Sequence, residues 1–134
     1  MTRIRDQLYR PEYAIELIEI ATGDLESAVV LSQSQLGRRE NICFLSQQVI
    51  EKSLKAVLCS AGKNIPHTHD LLIIADRLLH VHKVPEEYDI ALLNDFAAIR
   101  RYERGFVDLD AEDIAMVLKS ADHILNWAIS IVKP

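Results

Sequence analysis

Residues 40–62 read ENICFLSQQVIEKSLKAVLCSAG. Ile42, Leu45, Val49, Ser53 and Ala56 recur there at three- and four-residue spacing, and Ile50, Leu54 and Val57 broaden the stripe. This is the period of an amphipathic helix and not the alternation of a strand. No proline interrupts it, and Gly62 stands where a helix commonly turns into a left-handed residue. A helix is therefore expected from about Glu40 to Ala61.

The same period recurs on both sides. Upstream, Ala14, Leu17, Ile18, Ala21, Leu25, Ala28 and Val29 form a stripe behind Pro11, which suits a first helical turn. Downstream, a short helix is expected from about Asp70 to His82, carrying Leu71, Leu72, Ile74, Ala75, Leu78 and Leu79. Pro85 opens a fourth, with Ile90, Leu93, Phe96, Ala97 and Ile99. Asp110 suits the N-cap of a last helix carrying Ile114, Val117, Leu118, Ala121, Leu125, Ala128 and Val132. No stretch keeps a sustained two-residue period and no Asn-Gly or Asp-Gly turn occurs, so strands are not expected. The reading is all-α: an antiparallel, up-and-down bundle of four long helices plus one short helix.

The chain has 134 residues, of which 49% are hydrophobic. That suits a single domain over residues 1–134 with one core of ordinary size. No apolar run is long enough to span a membrane, and the charged N-terminus lacks the apolar stretch of a secretory signal, so a cytoplasmic location is expected. With 15 basic and 20 acidic residues the net charge is −5, which disfavours duplex DNA as a partner. Cys43 and Cys59 fall on one helix, about 24 Å apart by its rise, beyond disulfide reach. Both read as buried thiols.

His67, His69 and Asp70, with His80 and His82 further on, resemble the start of a metal site. The two His-x-His pairs are separated by roughly 18–20 Å of helix, and neither has the three or four ligands that zinc requires. No metal and no cofactor is expected. Thr68 or His69 suits a helix cap, Asp70 suits the first turn, and His67 reads as incidental. Gly-x-Ser-x-Gly and glycine-rich phosphate loops are absent. The remaining polar set is Gln47, Gln48, Glu51, Lys52 and Lys55, with Glu51 and Lys55 an i,i+4 pair. Arg100, Arg101 and Arg104 cluster beside Tyr102. Such cations can serve a helix dipole or fork onto a phosphate.

The Gln47-Gln48 pair, Glu51-Lys52, Leu54-Lys55-Ala56, the Gly62 break and Thr68-His69-Asp70-Leu71 resemble, in order and spacing, the HEPN family. Asp24-Leu25-x-x-Ala28 upstream and Arg101-Tyr102 downstream are similar to further elements of it, so the likeness spans nearly the whole chain. The resemblance implies a helical bundle, commonly a homodimer, that binds a nucleotide or RNA. It also implies a small nucleotidyltransferase encoded nearby as partner, in a toxin–antitoxin-like pair. It points to Lys52, Lys55, His69, Asp70, Arg101 and Tyr102 as the shared polar, nucleotide-binding positions.

Some members are ribonucleases that use an Arg followed, after four to six residues, by His. After Arg100 and Arg101 the next histidine here is His123, much too far along. Arg77 and His82 have that spacing but would lie about 140° apart around a helix, so the match reads as accidental. Catalytic residues are accordingly not assigned. Two other readings stay open: an endoribonuclease using His69 or His82 as general acid–base, and an interaction module whose dimer seam includes Ile90 and Leu93.

Overall fold

A computed structural model describes residues 4–85, 89–99 and 109–134, the side chains of 96–99 excepted. The elements run β1 (Asp6–Gln7), α1 (Tyr13–Gln33), α2 (Arg39–Ser60), β2 (Ile65–Pro66), α3 (Leu71–Leu78), α4 (Ile90–Ile99) and α5 (Ala111–Val132). The chain is thus mostly helical. Three of the helices exceed 20 residues, whereas α3 has 8 and α4 has 10 within the described residues. Among the described residues no helix is long and apolar enough to cross a membrane.

The helix read from residues 40–62 is the centre of the molecule. It packs against α1, α5, α3 and α4, so it is buried on far more than one face: Cys43, Ser46, Gln47, Leu58 and Cys59 are enclosed along with the expected stripe, of which only Leu45 is half-buried. A one-sided stripe underestimates a helix with neighbours all round. Its end is a Schellman motif: Lys63 N–H donates to the Leu58 carbonyl and Gly62 N–H to that of Cys59. Gly62 carries a φ of +73°, where a side chain would be strained.

The α1–α2 turn needs its glycine for a different reason. A Cβ on Gly37 would lie 2.1 Å from the Leu31 carbonyl oxygen, well inside van der Waals contact. At the other end of the bundle, Asp110 caps α5 in a full capping box with Asp113. The Arg39 guanidinium donates to the Leu109 carbonyl at 2.6 Å and ties the starts of α2 and α5 together.

Four expectations change. A strand pair exists: β1 and β2 are antiparallel, with Asp6 opposite Pro66 and Gln7 opposite Ile65. Helix α3 stops at Leu78, not His82, and Leu79 is 69% exposed with no core to hold it. Val29 lies at the surface because its neighbour Ala28 takes the inward position. Leu93 is buried in the chain's own core and so is not free to form a dimer seam, while Leu92 is the exposed leucine of α4. Phe96, Ala97 and Ile99 have side chains outside the described residues.

Candidate functional site

The first two turns of α1, the middle of α2 and the loop after β2 converge on one cleft of about 400 Å³. It is lined by Tyr9, Tyr13, Lys52, Lys55, His67 and His69, with Glu51 at its base. Helical spacing puts Glu51, Lys52 and Lys55 within one turn and a quarter of α2. The sharp end of α2 at Gly62 then turns the chain back, so that residues 65–70 run past that turn.

Glu51 organises the base. Its side chain is 5% exposed, and its two oxygens are shared. Oε2 accepts from Lys55 Nζ at 3.1 Å, and Oε1 accepts from His69 Nδ1 at 2.9 Å. A carboxylate can only accept, so the proton of this hydrogen bond sits on Nδ1, and Nε2 is left across the ring from Glu51. The His69 side chain is 65% exposed, while its carbonyl accepts from Gln47 Nε2 at 3.1 Å. Glu51 and Gln47 therefore clamp the imidazole and its backbone from one helix face. Lys52, one residue on, reaches the other way and pairs with Asp24 of α1.

The outer wall comes from the N-terminal segment. His67 N–H donates to the Arg5 carbonyl at 2.7 Å, continuing the β1–β2 pairing, and Arg77 of α3 holds Asp6 at 2.6 Å. These contacts lay residues 4–10 beside the cleft. The Tyr9 hydroxyl and His67 Nε2 lie 3.3 Å apart, and the Tyr9 ring stacks on Tyr13 with centroids 4.7 Å apart and planes at 22°. His67 is therefore not incidental. Burial pushes the Tyr13 phenol above its ordinary pKa, so the hydroxyl stays protonated at neutral pH.

The candidates separate accordingly. Lys52, Lys55 and His69 line the cleft. Asp70 does not: it is itself the N-cap of α3, a place read for Thr68 or His69. Its Oδ1 accepts from Leu72 N–H at 3.0 Å and from Asn94 Nδ2 at 3.2 Å, while Asn94 Oδ1 accepts from Leu71 N–H. Thr68 Oγ1 accepts from the Asp70 N–H instead. Asp70 is thus spent joining α3 to α4. Arg101 and Tyr102, with Arg100 and Arg104, lie outside the described residues. Arg77, the accidental partner of His82, is taken up by Asp6.

Sequence reasoning missed Tyr9 and Tyr13. Their i,i+4 spacing across Pro11 was the available signal, but nothing local shows that the segment returns to residue 67. Both cysteines are buried, as read. Burial pushes the Cys43 thiol up to about 12, and Cys59 Sγ–H donates to the Arg10 carbonyl, so neither has the character of a nucleophile. Among the described residues no three His, Cys, Asp or Glu side chains gather as metal ligands.

A family model described as HEPN domain matches residues 14–132. No curated protein and no solved structure matches the chain.

Proposed function

The chain belongs to the HEPN family, and from that premise we propose that it binds a nucleotide or an RNA end in the cleft between α1, α2 and the 65–70 loop. The observation that carries this is the joint placement of Lys52, Lys55 and His69 beside two stacked tyrosine rings. Ammonium and imidazole groups can meet a phosphate, and aromatic faces can meet a base. Arg101 and Tyr102 complete the proposed set on the strength of the family pattern alone. Asp70 supports the cleft by fixing α3 and makes no contact with ligand.

Calorimetry with AMP, ATP and a short single-stranded RNA tests the proposal. Saturable binding that weakens in Lys52→Ala/Lys55→Ala is expected. Absence of binding to all three, or unchanged affinity in the double variant, overturns it.

The family pattern also supports a homodimer that partners a small nucleotidyltransferase encoded nearby, in a toxin–antitoxin-like pair. Co-purification of the product of the adjacent gene tests the partnership, and a monomeric mass at micromolar concentration contradicts the dimer.

One observation favours a second reading, endoribonuclease activity. The Glu51–His69 pair is the arrangement in which a carboxylate orients an imidazole for proton transfer through its far nitrogen. RNA cleavage abolished by His69→Gln supports it; intact RNA on prolonged incubation with the wild-type protein rejects it.

A further inference from the structure

The charges around the cleft come in balanced pairs. Lys52 faces Asp24 and Lys55 faces Glu51, so two cations meet two anions. Among the described residues that line the cleft, only His67 and His69 add further basic groups. Among the described lining residues, a ligand carrying several phosphates finds no surplus of cations to neutralise it, and meets the Glu51 carboxylate as well. With the described lining balanced in this way, binding needs a source of strength beyond phosphate charge.

The wall supplies it. Tyr9 and Tyr13 are already stacked, partly buried, and held by the His67 contact, the β1–β2 pairing and the first turn of α1. Each ring presents one face to the other, and both rings line the cleft. A wall ordered before the ligand arrives costs little entropy on binding. The volume of about 400 Å³ is near the lower end of small-molecule sites, which run from about 300 to 1,000 Å³. That holds one nucleotide and not a stacked run of them.

Resting on the nucleotide-binding reading above, we infer that the cleft takes a single nucleotide unit, recognised through its base on the Tyr9–Tyr13 wall, with no more than one phosphate toward Lys55 and His69. Both tyrosines precede the matched residues 14–132. The base wall is thus built by Tyr9 of the N-terminal segment and by Tyr13 at the very start of α1, just ahead of the matched residues. The same unit occurs as a free nucleoside monophosphate and at the end of an RNA strand.

Calorimetry on the full chain, titrated with AMP, adenosine, ribose 5-phosphate and ATP, tests the inference without any substitution. AMP and adenosine bind within about tenfold of one another, and ribose 5-phosphate binds at least roughly tenfold more weakly than AMP, as the loss of one base stack requires. Tyr9→Phe keeps AMP affinity, whereas Tyr9→Leu loses roughly tenfold, with thermal melts confirming that both variants fold. Ribose 5-phosphate binding as tightly as AMP, with no effect of Tyr9→Leu, overturns the inference while the phosphate-binding reading stands. ATP binding more than tenfold tighter than AMP overturns the one-phosphate part. If none of the four binds, the underlying reading falls too. A short linear RNA and its circularised form separate the two sources: circular RNA binding as tightly as linear contradicts recognition of a single terminal unit.

Discussion

His69 Nδ1 donates to Glu51 Oε1 at 2.9 Å, so a carboxylate buried on the central helix sets the orientation of an imidazole that is 65% exposed. Glu51 also holds Lys55. One side chain therefore fixes both the Lys55 ammonium and the His69 imidazole at the base of the cleft, and its removal frees them together.

Glu51→Gln keeps the shape but loses the charge that both partners meet. Breaking a fully buried pair costs about 3–5 kcal/mol; here Lys55 is 14% and His69 65% exposed, so water takes up part of the loss. A destabilisation of about 1–2 kcal/mol is expected in urea unfolding, with a larger loss of AMP affinity than Tyr9→Phe produces.

Asp70→Ala tests whether this residue supports the fold or contacts the ligand. It removes the α3 cap and the bond from Asn94, and about 1–2 kcal/mol of stability should go with them. AMP affinity at a temperature where the variant is folded should stay within a few-fold of wild type. A selective loss of binding with unchanged stability would place Asp70 in the site after all.

Gly37→Ala puts a methyl group 2.1 Å from the Leu31 carbonyl oxygen, against backbone that cannot rotate away. The α1–α2 turn must open, at a cost of about 2 kcal/mol, read as a lower urea midpoint. Gly23→Ala is the control: a Cβ there meets nothing within 4 Å, and in mid-helix the change should be stabilising by roughly 0.5–1 kcal/mol.

Cys43 gives a pH dependence with a definite sign. Its thiol is raised by burial to about 12, from about 8.5 in an unfolded chain. Between those values the native state keeps a proton that the unfolded state releases, so stability falls as pH rises from about 8.5 toward 12. Its contribution is fully present below about pH 8.5. Cys43→Ala should flatten the alkaline arm of stability against pH, and native Cys43 should resist iodoacetamide at pH 8 while the urea-unfolded chain is alkylated.

The helices were legible because each long one writes an apolar period into the sequence, and the ends of α2 and α5 carry their own stop and start residues in Gly62 and Asp110. What was not legible depends on residues far apart. A strand pair of two residues each, joining positions 6–7 to 65–66, has no periodicity to read. Leu79 has the spacing of a core residue but follows the last residue of α3 and lies at the surface. Within the site, Lys52, Lys55 and His69 were identified by pattern, yet Glu51 read only as a helix pair for Lys55, since its second partner lies 18 residues on. Tyr9 and Tyr13 join the cleft only through the β1–β2 return, and Asp70 leaves it only because Asn94 of α4 is there to engage it.

The central claim is that the ligand binds in this cleft, and histidine ring resonances followed during an AMP titration address it residue by residue. His67 and His69 line the cleft, whereas His80, His82 and His123 do not. Saturable shifts of the His67 and His69 rings, with the other three unmoved, are the predicted result. Saturation with no shift at His67 or His69, or with shifts only at His80, His82 or His123, would contradict the account.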